Sequence, residues 1–75
     1  MKAFVLEYIG NREVTFMMIL DNAMYFRHGE TLRRDKAKRD SLAKELCAVL
    51  TELESTGEVV KNQHNFYYRK DLHDV

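Results

Sequence analysis

The side chains able to do chemistry are few and scattered. There is one cysteine, Cys47, and there are three histidines, His28, His64 and His73. A reactive thiolate needs exposure and a cationic or helix-N-terminal setting. Cys47 instead falls on the apolar stripe of a predicted helix, where a small buried hydrophobe is expected. Ser41 and Ser55 lack the Gly-x-Ser-x-Gly elbow that exposes a nucleophilic serine. No two histidines have the i, i+4 spacing that sets two metal ligands on one helical face. Asp71, His73 and Asp74 gather only in a C-terminal tail expected to fray. The three glycines are isolated, so no loop can cradle a phosphate. Every acidic residue falls on a face expected to be solvated, which leaves no catalytic carboxylate pair. The expectation is a non-enzymatic protein with no metal and no cofactor.

Binding chemistry has more material. Arg33, Arg34, Lys36, Lys38 and Arg39 form a basic run that contains Asp35 and ends at Asp40. On a helix these cations spread round the axis, at about 100° per residue. Such a collar is more often a solvated helix end than a phosphate-reading stripe. Further on, Phe66, Tyr67 and Tyr68 stand beside Arg69 and Lys70, a grouping able to stack bases and pair phosphates. The competing use is that alternate aromatics of this strand pack on the helix. The candidate nucleic-acid contacts are therefore Arg33, Arg34, Lys38, Tyr67, Arg69 and Lys70. The 12 Lys+Arg match the 12 Asp+Glu, so no global field steers the chain to a polyanion.

The elements that would position these groups fit one domain, residues 1–75. A chain of this size buries only about 60% of the surface its unfolded form exposes. With one cysteine and no metal set, oligomerisation or a bound partner is the expected supplement. No apolar run approaches the roughly 20 residues of a membrane span, and Glu7 interrupts the apolar start before any small-residue cleavage site. A reduced, cytoplasmic setting is the default expectation.

Val14–Leu20, six of seven residues apolar, reads as a strand buried on both faces between the turn signals Gly10-Asn11 and Asp21-Asn22. Residues 3–9 form a second strand candidate, joined by a Gly-first II′ loop, and residues 23–28 a third. The alternative makes residues 13–28 a helix, since Phe16, Ile19, Leu20, Ala23, Met24 and Arg27 recur at helical spacing. Gly29 follows, with Thr31 a candidate N-cap. From Leu42 the pattern is plain: Leu42, Leu46, Val49, Leu50 and Leu53 share a stripe that ends before Gly57, a natural C-cap. Backwards along that face stand Asp35 and Arg39, so the helix either overhangs the core or breaks near Asp40-Ser41. A hairpin, Glu58–Lys61 and Phe66–Lys70 about a polar turn, closes the chain.

The segment Leu42–Lys70, with Leu50-x-x-Leu53-Glu54-x-x-Gly57-x-Val59 followed by a hairpin ending Tyr67-Tyr68, resembles the closing part of a winged-helix domain. In that family a helix leads into a two-stranded wing, and both often contact DNA. The resemblance implies a nucleic-acid-binding regulator, with helices ahead of the segment where the sequence suggests strands.

The meander raises a third class of function. Both its faces are apolar, and one helix covers one face. Val5, Val14, Phe16, Met18 and Tyr25 would then form an exposed patch beyond what soluble monomers tolerate. Three of the four methionines lie there and suit an adaptable contact surface. The expected fold is α+β: a small antiparallel sheet, made of a three-stranded N-terminal meander and a C-terminal hairpin, packed on one principal amphipathic helix. The expected function is a small non-enzymatic binding protein, a regulator or inhibitor of the phage or mobile-element type. It would act through protein contacts or as a homodimer, with the winged-helix-like reader as the alternative.

Overall fold

In the computed structural model, which describes residues 1–29 and 35–73, the chain is α+β with a three-stranded antiparallel sheet and one long helix. Helix α1 spans Lys2–Ile9 and buries Val5 and Ile9, one turn apart on one side. It stops at Gly10, whose φ of 53° lies in the left-handed region where a Cβ is strained, and whose N–H donates to the Leu6 carbonyl at 3.1 Å. Strand β1 is only Val14–Thr15, and the Thr15 hydroxyl then caps α2 (Phe16–His28) by accepting the Met18 N–H at 3.2 Å. Helix α2 buries Ile19, Leu20, Ala23 and Met24, the i, i+1, i+4, i+5 set of one helical face.

Helix α3 runs unbroken from Lys36 to Thr56. Asp35 caps it by accepting the Lys38 N–H at 3.1 Å, and Gly57, at φ 81°, ends it in the left-handed conformation. Its buried residues are Leu42, Leu46, Leu50 and Leu53. The first turn and a half therefore overhangs the core, as the charged start of its stripe implied, and no break occurs at Asp40-Ser41. Strands β2 (Val59–Lys61) and β3 (Phe66–Arg69) form the closing hairpin, and α4 (Lys70–His73) ends the described chain. The sheet order is β1-β3-β2, with Val14 opposite Tyr67 and Lys61 opposite Tyr67 from the other side. Val14, Val59 and Tyr67 point from the sheet into the core formed by α1, α2 and α3.

Four expectations are corrected. The N-terminal meander is absent: residues 2–9 and 16–28 are helical, so the element order is αβααββα. Ile19, Leu20, Ala23 and Met24 gather on one helical side and are all buried, whereas on a strand Leu20 and Met24 would face away from Ile19 and Ala23. Gly10 ends a helix where a hairpin loop was expected, because positive φ serves both purposes equally well. Asp21-Asn22 sits mid-helix; Asn22 points outward, and its amide donates to the Met18 carbonyl (3.2 Å) and the Tyr8 hydroxyl (3.0 Å). Cys47 is exposed. It follows Leu46 by about 100° round the helix, which carries it past the edge of the leucine stripe. The Thr31 cap lies outside the described residues.

Candidate nucleic-acid interface

Charge on α3 is sorted by position. Between residues 36 and 44 stand Lys36, Lys38, Arg39 and Lys44 against Asp40 alone; between 45 and the end of the helix stand Glu45, Glu52 and Glu54 with no cation, and Glu58 follows the Gly57 cap. A helix carries partial positive charge at its N-terminus and partial negative charge at its C-terminus. Cations at the start and carboxylates at the end oppose that dipole, each costing on the order of 0.3–1 kcal/mol. The first turn of α3 holds no acidic residue and the last turn no basic one. The Asp35 cap relieves one end, and a Lys2–Glu52 pair at 3.2 Å relieves the other.

The packing of α3 makes this pattern accessible. Its leucines face the core, so the opposite side presents Ala37, Ser41, Lys44, Ala48 and Thr51, all solvent-facing by helical spacing. Small side chains on that side let the helix backbone approach a neighbouring surface closely, and Lys44 stands among them as the charged group.

A shallow groove opens where the end of α2 meets the start of α3. Arg27, His28, Ala37, Lys38 and Ser41 line it, with Glu45 at its edge. Arg27 spans the helices by donating from Nη1 and Nη2 to both carboxylate oxygens of Glu45, at 2.5 and 3.1 Å. The hydrogen bond from Arg27 holds the Glu45 carboxyl below its ordinary value, and the Coulomb attraction acts the same way against the opposing effect of desolvation. Arg39 lies 3.5 Å from Asp40 and is half-buried.

The hairpin supplies the second part. Asn62 organises its turn: Oδ1 accepts the N–H groups of His64 (2.9 Å) and Phe66 (3.0 Å), and Nδ2 donates to Glu13 (2.8 Å). Asn65 takes the left-handed conformation at φ 65°, which Asn tolerates better than most residues. Gln63 and His64 are exposed at the tip. The Lys61 ammonium sits 5.9 Å from the centre of the Tyr67 ring. Burial raises the Tyr67 phenol above its ordinary value, and Glu54 and then Cys47 add to the rise.

The sequence-derived contacts divide accordingly. Lys38 is exposed on the basic half of α3. Arg33 and Arg34 lie outside the described residues. Tyr67 is 8% exposed and belongs to the core, so it is not available to stack on a base. Arg69 is half-buried and holds the molecule together: its guanidinium donates to the Leu6 carbonyl at 3.3 Å and to Asp71 at 3.0 and 3.3 Å. Lys70 is exposed, but its backbone N–H donates to Glu58, beyond the acidic end of α3. About 27 Å of helix separates Lys38 from that end. The structure therefore does not bring Lys38 together with Arg69 and Lys70. Lys36, Lys44 and Lys61 were missing from the list of contacts; the charge sorting along residues 36–58 was the signal available for the first two.

The proposed partner face also divides. Val5 and Val14 are fully buried, which removes them from any surface. Phe16 is half-buried, while Met18 and Tyr25 are exposed on α2. Phe26, absent from the list, is 77% exposed. Among the described residues no polar or charged side chain is buried, and no three His, Cys, Asp or Glu gather as a metal set. None of the described helices is long and apolar enough to cross a membrane. Comparison with family models, curated proteins and solved structures returns no match.

Proposed function

We propose that this protein is a small nucleic-acid-binding regulator of the winged-helix kind, with the first half of α3 as its principal contact and the β2–β3 hairpin as its wing. The observation that carries the reading is the charge order of α3. A helix selected for stability alone places carboxylates at its start and cations at its end. This one does the reverse, and a local rule broken at one place and offset elsewhere, here by the Asp35 cap and the Lys2–Glu52 pair, tends to mark a functional site. Phosphates at the start of α3 would meet four cations and the positive end of the dipole together. The carboxylates at the far end favour an orientation in which only the first half approaches the polyanion.

The architecture supports the same reading. Two helices now precede α3, so the winged-helix resemblance extends from residues 42–70 to the element order of the described chain. A helix of about 10–12 Å diameter fits a major groove about 12 Å wide, and the small outward residues of α3 reduce the bulk that must enter. In helix-turn-helix proteins the second helix of the pair enters the groove by its N-terminal residues. Here those residues are Lys36–Lys44.

Fluorescence anisotropy with labelled duplex and single-stranded DNA tests this. Duplex binding at about 50 mM salt that weakens by about 200 mM is expected, with loss on the triple replacement Lys36→Gln, Lys38→Gln, Lys44→Gln. Duplex affinity untouched by the triple replacement, or no binding to any polyanion at the lower salt, would sink the proposal.

A second reading, regulation through protein contacts, has its own support. Tyr25 and Phe26 are 72% and 77% exposed on adjacent positions of α2, away from the leucine stripe of α3. Large aromatics at such exposure are characteristic of contact surfaces.

A further inference from the structure

The α1/α2 side of the molecule carries a row of rings. Tyr8 and Phe4 are stacked with centroids 6.2 Å apart, and Phe4 meets Phe26 at 5.3 Å. Phe26 stands at the rim of a groove of about 300 Å³ formed with Met1, Phe4 and Ala23, and Arg27 closes one end. Ala23 is buried and forms the floor. A projecting ring thus lies beside a recess of the right character to receive one. An apolar cavity of about 150 Å³ suffices for a benzene ring.

The geometry points to a second copy of this chain as the occupant of this groove, docked about a twofold axis with Phe26 of each copy seated against Phe4 and Ala23 of the other. Three features select a like partner. A twofold contact uses one patch twice, so it needs a projection and a recess on the same patch, and Phe26 and its groove supply both. The charges bordering the groove are already neutralised within the chain, Arg27 by Glu45 and Lys2 by Glu52. Covering the groove therefore strands neither of these side-chain charges, and neither calls for an oppositely charged partner.

Area supplies the third feature. A buried aromatic side chain covers about 150–250 Å², so Tyr25 and Phe26 each have about 150 Å² to bury. Over two copies these rings contribute about 600 Å², and the half-exposed Met1, Phe4 and Tyr8 bring the total towards the roughly 1,000 Å² that a specific contact requires. That area corresponds to a dimer in exchange with its monomer, not an obligate one. The proposal is independent of nucleic-acid binding and is tested without it.

Sedimentation equilibrium of the full chain from about 5 μM to about 500 μM, bracketing the exchange expected for an interface of this size, should show a monomer–dimer equilibrium. Phe26→Glu should weaken association at least about tenfold, because it places two carboxylates in the apolar contact. Unchanged far-ultraviolet circular dichroism would verify that the variant still folds. Hydrogen exchange of the unaltered chain gives a second measurement: backbone amides of α1 and of residues 22–27 should slow with concentration, while those of residues 36–44 should not. A monomer at every concentration, a dimer that Phe26→Glu leaves intact, or concentration-dependent protection confined to another face would each overturn the proposal.

Discussion

On the proposed nucleic-acid-binding function, the salt dependence of binding would measure how many charges of α3 touch phosphate. Each phosphate neutralised on B-form DNA contributes about −0.9 to the slope of log affinity against log salt concentration. Lys36, Lys38, Arg39 and Lys44 together give a slope of about −3.6. Arg39 is half-buried and lies near Asp40; if it stays there, three contacts remain and the slope is about −2.7. Between about 50 and 200 mM salt these slopes correspond to affinity losses of about 150-fold and about 40-fold, a difference that anisotropy titration resolves. Arg33 and Arg34, where engaged, would steepen the slope to about −5.4. Lys44→Ala should make the slope shallower by about 0.9 whichever of these holds. Lys70→Ala, on the residue hydrogen-bonded to Glu58 beyond the other end of α3, should leave it unchanged. The reverse result, a slope that responds to Lys70 and ignores Lys44, would refute the assignment of the contact to the first half of the helix.

Three further outcomes follow from packing and electrostatics. Glu54→Gln removes a carboxylate from the negative end of the α3 dipole and should raise stability by roughly 0.3–1 kcal/mol in urea unfolding at low salt, without loss of nucleic-acid affinity; a decrease would show that the charge order of α3 is not a strain. Leu46 is completely buried, and Leu46→Ala should cost about 2–5 kcal/mol, a large share of the roughly 4–11 kcal/mol expected for a chain this long; a shift in midpoint equivalent to less than about 1 kcal/mol would contradict the core position of α3. The Glu45 carboxyl, lowered by its hydrogen bond from Arg27, contributes stability that is present above the ordinary glutamate range and lost as pH falls through its folded value. Glu45→Gln should therefore lower the melting temperature slightly at neutral pH, with the difference disappearing in acid; a constant offset across that range would mean the ion pair is not its source.

The two halves of the chain were legible to different degrees. Leu42, Leu46, Leu50 and Leu53 repeat over three turns and are followed by Gly57, so the long helix and its end stand out by period alone. The hairpin after it is equally plain, because Asn62–Asn65 separates two short runs of strand formers. Upstream, Val14, Thr15, Phe16 and Ile19 favour a strand locally, and they outweighed the helical spacing of Ile19, Leu20, Ala23 and Met24. Tertiary burial reversed the balance: only as a helix does that segment turn all four of these residues into the core shared with α3. Cys47 shows the same limit on a finer scale, since one step of 100° from Leu46 separates a buried position from an exposed one.

By itself the sequence determined the α+β class, the single long helix, the closing hairpin and the order of charges from Lys36 to Glu58. These are local properties, set by period, turn chemistry and composition. Which charges share a surface was decided only by the tertiary structure. It placed Lys38 and Lys70 beyond opposite ends of α3's leucine stripe, put Tyr67 in the core and committed Arg69 to Leu6 and Asp71. It also brought Phe4 against Phe26, 22 positions apart in the chain. Residues so distant become neighbours only when α1 and α2 pack together, and no reading of period or propensity within either helix contains that contact.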